Sequence, residues 1–105
     1  MLRLAFAASL AAMALAPSAF AYPVGESHAT LSIAAPKGTE VVIDSRVWRC
    51  DGAACAAFPS ESDIRRKPVI ECRNAARALG KFTAYATGDV VLTDAQLTEC
   101  VAGLK

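Results

Sequence analysis

The sequence has few of the side chains on which common catalytic and metal sites depend. Its 105 residues include one histidine, His28, and no serine lies in a G-x-S-x-G motif. A hydrolytic triad or a histidine-based metal site would have to use His28, and the carboxylates are too scattered to support it. We therefore expect no catalytic residue, no metal and no cofactor, and we interpret His28 as an exposed residue at the start of a strand.

An excess of charge of one sign is also missing. The chain holds 11 basic and 10 acidic residues, a net charge of +1, so it has no general attraction to nucleic acid or to an anionic membrane. The densest charge run is Arg65, Arg66 and Lys67, and no aromatic residues interleave with it as they would on a nucleic-acid surface. We interpret this run as a solvated loop or, alternatively, as a contact for an acidic partner or an anionic surface polymer.

No apolar run is long enough to span a membrane, and the longest one predicts export instead. Residues 4–16 are apolar or small apart from Ser9 and follow the basic Arg3, whereas a span needs about 20 apolar residues. Small residues at 19 and 21 complete the pattern of a secretory signal peptide. We predict a signal peptide over residues 1–21, cleavage after Ala21, and a single periplasmic or secreted domain over residues 22–105 with no membrane span.

Four cysteines in a short exported chain predict two disulfides, for which three connectivities exist. Cys50 and Cys55 flank an Asp-Gly turn signal in the stretch VWRCDGAAC. A loop over residues 51–54 would place the two cysteines opposite each other in a hairpin, where a disulfide is feasible. The spacing is unlike the C-x-x-C of redox catalysts and unlike paired zinc knuckles, so we expect the sulfur to be structural.

Two helices are predicted, each with a cysteine on its apolar face. Residues 68–79 begin with Pro68 and are followed by Gly80, which suits a helix start and a helix end. A Thr-x-x-Gln capping box at Thr93 predicts a second helix from about residue 94. At 100° per residue Cys72 and Cys100 each lie within an apolar arc, so we expect a Cys72–Cys100 disulfide between the helices.

The remaining segments predict a small β-sheet. We expect strands at residues 29–34, 41–43, 46–48, 82–86 and 90–92, with turns at 36–38 and 87–89 and a loose N-terminal segment before residue 28. Asp44 and Ser45 either turn the chain again or lie within a strand that continues through Arg49. The predicted fold class is α+β: a small antiparallel sheet with two helices on one face and two disulfides.

Trp48 is the one tryptophan, and it shares a strand face with Cys50 because side chains alternate along a strand. We weigh two roles for it. It either packs beneath the helices in the core or forms an exposed anchor for a binding partner.

Two motifs resemble a known group of proteins. Val47-Trp48-Arg49-Cys50 with Gly52 and Cys55, and then Pro68-Val69-Ile70-Glu71-Cys72, are similar to a family of small exported bacterial proteins with four cysteines and no assigned activity. The resemblance covers about residues 40–100. It implies a periplasmic protein of unknown role and supplies no catalytic residues. A glycine-containing turn would be expected where Asp44 and Ser45 stand.

These observations favour a non-enzymatic domain that binds an unknown protein or an envelope component. Candidate partner contacts are Trp48, Arg65, Arg66 and Lys67. The alternatives are a thiol–disulfide or redox-sensing protein that uses Cys50 and Cys55, and a small inhibitor of an envelope enzyme that inserts the disulfide-bridged hairpin.

Overall fold

The structure is a computed structural model that describes residues 22–59 and 66–104. The predicted signal peptide and Arg65 therefore lie outside the described residues. The elements in chain order are β1 (Ser27–Ile43), β2 (Arg46–Ala57), α1 (Pro68–Leu79), β3 (Phe82–Thr87), β4 (Val90–Val91) and α2 (Asp94–Val101).

The architecture confirms the predicted α+β class. The four strands form one sheet in the order β2-β1-β3-β4, and every neighbouring pair is antiparallel. Both helices pack on the same face of the sheet, and we call the opposite face, which no helix covers in the described residues, the outer face. β2 and β4 are the two edge strands.

β1 is longer than the sequence indicates. Residues 29–34 and 41–43 were expected as two strands with a turn at 36–38, but both belong to β1. Its pairing with β2 shifts register between Thr30 and Ala35 and again between Ala35 and Thr39. The expected turn residues thus lie within β1 and do not end it, but the chain bends there: Gly38 has a φ of 82°, and Thr39 Oγ1 donates to Pro36 O at 2.7 Å. The extra residues of β1 are accommodated as irregularities in its pairing with β2.

A two-residue turn at Asp44 and Ser45 joins β1 to β2. Ile43 pairs with Arg46, and the two turn residues have φ values of 52° and 67°. Two positive φ angles are the signature of a type I′ hairpin turn, in which glycine or asparagine is common. The predicted turn is thus confirmed over the continuous strand, and it forms without glycine. The Asp44 carboxylate also accepts a 3.0 Å hydrogen bond from Asn74 Nδ2 on α1.

The helices follow the sequence closely. α1 has the predicted bounds and buries Cys72, Ala75 and Ala76. α2 begins at Asp94, where Gln96 N donates to Thr93 Oγ1 and Thr93 N donates to Gln96 Oε1, so the predicted capping box is present. Cys72 and Cys100 form the predicted disulfide with their Cα atoms 5.7 Å apart, and this bond joins the two helices in the core.

The N-terminal segment, residues 22–26, is not loose, and that expectation was wrong. Tyr22 N donates to Gly88 O at 3.0 Å, and Gly88 N donates to Glu26 O at 2.9 Å. The segment is thus bonded twice to the turn between β3 and β4. The reason is tertiary, because Gly88 lies far along the chain and no local pattern could reveal this contact.

Candidate functional site

All four cysteines form disulfides within the domain. Cys50 and Cys55 are bonded with their Cα atoms 4.0 Å apart, although five residues of extended strand would span about 16 Å. β2 must therefore fold back on itself at residues 51–54, as the predicted loop required, even though the whole segment is one strand. All four cysteines are paired and at most 3 % exposed, so none presents a thiol to solvent.

A cluster of polar side chains is buried between the sheet and α1. Arg46 NH2 lies 3.0 Å from Glu71 Oε2, and Arg46 NH1 donates to Gly25 O at 2.8 Å and to Ser27 Oγ at 3.1 Å. Ser27 Oγ donates to Glu71 Oε1 at 2.7 Å, and the Tyr85 hydroxyl donates to the same oxygen. We call Ser27, Arg46, Glu71 and Tyr85 the Arg46 cluster.

The electrostatics of the Arg46 cluster favour a fixed, neutral tyrosine. Burial and the adjacent Glu71 carboxylate raise the pKa of Tyr85 well above its ordinary value. A neutral phenol can donate to Glu71, whose charge is balanced by Arg46. Because these groups bond to one another between the sheet and α1, the cluster links β1, β2, β3 and α1.

Sequence reasoning missed this cluster. At 100° per residue Glu71 falls just outside the apolar arc of α1, and Ser27 belongs to the N-terminal segment that was expected to be loose. A signal was available for Arg46, because alternation along β2 puts it on the same face as Trp48 and Cys50. Arg46 is only 4 % exposed and its guanidinium carbon lies 5.7 Å from the centroid of the Trp48 ring.

The outer face of the sheet carries two adjoining grooves of about 590 and 240 Å³. Both are lined by His28, Ala54 and Cys55, so they meet at the centre of the face. We call them together the outer groove. Small side chains line much of it, so another molecule could approach the sheet backbone closely. The alanines among them are Ala54, Ala56, Ala84 and Ala86.

The two ends of the outer groove differ in chemistry. The larger groove is lined by Lys37, Asp51 and the exposed ion pair between Arg49 Nε and Glu40 Oε2, which are 2.6 Å apart. The smaller groove ends at Val91 on β4, which is largely exposed. The outer groove therefore has charges of both signs at one end and apolar side chains at the other.

His28 lies where the two grooves meet. Its ring stacks on Tyr22 with centroids 3.7 Å apart and lies edge-on to Phe58 at 6.2 Å. Its Nε2 is 2.8 Å from Glu26 Oε1. The side chain is half-buried rather than exposed as expected, because Tyr22 of the N-terminal segment covers one side of the ring. Among residues 22–59 and 66–104, no three His, Cys, Asp or Glu side chains are grouped to hold a metal ion.

The predicted partner contacts are not brought together. Trp48 is 1 % exposed and packs with Phe82 and Tyr85 at centroid distances of 6.3 and 6.0 Å. The core role is therefore confirmed for Trp48, and the exposed anchor is wrong, because the face that it shares with Cys50 is the one that the helices cover. Arg66 and Lys67 are exposed before α1, and Arg66 Nε lies 3.4 Å from Asp44 Oδ1.

Comparison with known proteins adds a family and no activity. Residues 5–102 match the model of a family of unknown function (DUF8200). No curated protein and no solved structure is detectably similar to the chain. Among the described residues, no helix has the length and apolar character needed to cross a membrane. Because the match covers most of the sequence, the chain belongs to this family of unknown function.

Proposed function

We propose that this protein is an exported, non-enzymatic domain that binds a protein of the cell envelope through the outer groove. The observation that carries the proposal is the division of polar groups between the two faces of the sheet. The Arg46 cluster is buried and internally satisfied, whereas the outer face keeps an open groove with a small-residue floor and a charged end.

The setting supports export. Two disulfides in a small domain suit an oxidising compartment outside the cytosol. The predicted signal peptide over residues 1–21 would deliver the chain there. Periplasmic or secreted localisation is part of the proposal, and the mass of the exported protein tests it directly.

The chemistry of the outer groove favours binding over catalysis. His28 has its Nε2 beside the Glu26 carboxylate and its ring stacked on Tyr22. Alanines approach it from both neighbouring strands, since His28 pairs with Ala56 on β2 and with Ala86 on β3. The two residues paired with His28 are therefore alanines, and neither supplies a hydroxyl or thiol nucleophile beside it.

The experiment is capture from periplasmic extract with a matched pair of variants. Ala54 is exposed and lines both grooves, so Ala54→Arg fills the outer groove without entering the core. Ala95→Arg makes the same change on the exposed surface of α2. We expect a partner retained by the unmodified protein and by Ala95→Arg to be lost with Ala54→Arg. Equal capture by all three would exclude the outer groove, and capture of polysaccharide alone would exclude a protein partner.

A second candidate is thiol–disulfide exchange, because Cys50 and Cys55 line the larger groove. Their low exposure argues against it. Thiol titration of the native protein in mild reductant separates the two proposals. A pair that opens at a potential well above about −300 mV would support redox chemistry, whereas a pair that stays closed until denaturant is added would support a structural role.

A third candidate function is inhibition of an envelope enzyme, in which the loop over residues 51–54 would insert into that enzyme. Asp51 and Ala54 are exposed on this loop, and the disulfide fixes its two ends. A partner lost on Asp51→Arg but retained on Ala54→Arg would favour the loop over the outer groove.

A further inference from the structure

Tyr22 occupies a defined position at the edge of the outer groove. Its backbone nitrogen donates to Gly88 O at 3.0 Å, and its ring stacks on His28 with an interplanar angle of 17°. Two contacts of different kinds, one from the backbone and one from the side chain, therefore fix this residue. Tyr22 also lines the smaller of the two grooves.

The rest of the N-terminal segment reinforces that position. Glu26 N donates to Pro23 O at 3.1 Å and closes a turn in which Gly25 has a φ of 89°. Gly25 O accepts from Arg46 NH1 at 2.8 Å, so the segment is bonded to the buried Arg46 cluster. The Glu26 carboxylate meanwhile lies beside His28, and the same five residues thus connect the core, the β3–β4 turn and the outer groove.

We propose that the α-amino group of the processed chain is a structural ligand of Gly88 O and holds Tyr22 in place as a side of the outer groove. This inference rests on the proposed removal of the signal peptide after Ala21. Hydrolysis adds water across the bond between the Ala21 carbonyl carbon and the Tyr22 nitrogen. Ala21 leaves with a carboxylate, and the Tyr22 nitrogen becomes an ammonium group.

The charge strengthens a contact that already exists. As an amide, the Tyr22 nitrogen offers Gly88 O one neutral donor; as an ammonium group it offers a charged donor, and charge-assisted hydrogen bonds are shorter and stronger than neutral ones. A chain that began at Ala21 would carry its charge one residue away from Gly88, and a chain that began at Pro23 would lack the Tyr22 ring. Processing at this one bond therefore sets the shape of the outer groove.

The test measures how well the α-amino group is protected from acylation. The protein is produced with Tyr22 as its first residue and treated briefly with an acylating reagent at neutral pH. The acylated fraction of the N-terminal peptide is then quantified by mass spectrometry. We expect acylation about tenfold slower than in the urea-unfolded chain, because reaction requires local opening of the segment. The α-amino group of a chain that begins at Ala21 should react at nearly the unfolded rate.

A pair of variants separates the ring contact from general loosening. His28→Ala removes the stacking partner and should abolish most of the protection, whereas His28→Phe keeps a flat ring there and should retain it. Trp48 fluorescence confirms that each variant is folded, because Trp48 is buried in the core. Equal acylation of folded and unfolded chains, or equal protection of the Tyr22 and Ala21 forms, would overturn the inference.

The outcomes remain separable from those of the proposed function. An exported protein whose mass shows cleavage at another bond would overturn this inference and leave binding through the outer groove intact. Equal capture by Ala54→Arg and Ala95→Arg would overturn binding through the outer groove and leave this inference intact.

Discussion

Glu71 on α1 and Arg46 on β2 form a buried ion pair, 3.0 Å from Oε2 to NH2, beneath the strand that carries His28. The exposed pair between Glu40 and Arg49 lies on the opposite side of the same sheet. The Arg46 and Glu71 side chains are 5 % and 13 % exposed, whereas those of Arg49 and Glu40 are 68 % and 53 % exposed. The protein therefore has one buried and one exposed Arg–Glu ion pair, and their contributions to stability can be compared directly.

The two ion pairs should differ strongly in their effect on stability. Glu71→Ala leaves the Arg46 charge buried without its carboxylate and should lower the free energy of unfolding by about 3 kcal/mol or more. Glu40→Ala should cost less than about 1 kcal/mol, because its partner remains solvated. Urea denaturation of both variants measures this. Similar losses for the two would show that Arg46 finds another partner when Glu71 is removed.

The two disulfides should contribute unequally. The bonded cysteines are 28 residues apart for Cys72–Cys100 and 5 apart for Cys50–Cys55. Loop entropy in the unfolded chain gives about 3.5 and about 2 kcal/mol for their removal. Replacing each pair by alanine and comparing urea midpoints tests the order. A larger loss for the Cys50–Cys55 pair would mean that the fold of β2 depends on that bond in the native state.

Alkaline pH should destabilise the protein through Tyr85. Its pKa is raised in the folded state by burial first and by Glu71 second, so above the ordinary tyrosine pKa of about 10 the unfolded chain loses a proton that the folded chain retains. Stability should therefore be unaffected by this group below pH 10 and fall by about 1.4 kcal/mol per pH unit above it.

Tyr85→Phe removes that pH dependence, because phenylalanine cannot ionise. Urea denaturation between pH 9 and pH 11 should give a shallower decline for the variant than for the unmodified protein. The variant will be less stable at neutral pH, since Glu71 loses a donor, but the comparison uses slopes. Parallel slopes would contradict the buried, neutral state of Tyr85.

The Asp44–Ser45 turn gives a prediction about backbone conformation. Asp44 has a φ of 52°, which asparagine tolerates and alanine does not favour. Asp44→Ala should lower the free energy of unfolding by about 1–2 kcal/mol through the turn and the lost contact with Asn74. Asp44→Asn should cost about half of that or less. Thermal denaturation of both variants ranks them, and an equal cost would assign the effect to the lost carboxylate.

Local signals predicted the helices and tertiary contacts decided much of the rest. α1 and α2 were predictable because their apolar arcs, the Thr93 capping box and the Pro68 start all lie within a few residues of chain. The path of β1 was not, since residues 31–38 remain in one strand only because β2 pairs on both sides of them.

The buried polar cluster shows a second limit of the sequence. Glu71 lies about 40° beyond Ala75 on the helical wheel, at the border of the apolar arc, and its long side chain reaches inward to Arg46. The position of Glu71 on the wheel did not reveal this contact, because a helical wheel shows the direction of a side chain and not its length. The outer groove was likewise hidden, since it forms only when His28 of β1, Ala56 of β2 and Ala86 of β3 are brought side by side.

The fold-back of β2 has a consequence for how molecules of this protein meet one another. β2 is an edge strand, and an uninterrupted edge offers a row of amide and carbonyl groups on which another chain can assemble. With Cys50 and Cys55 joined, that row is bent back at residues 51–54 and is not presented as one straight edge. The same sulfur bridge that shapes one molecule should therefore keep neighbouring molecules from polymerising, and its reduction should be followed by fibril formation.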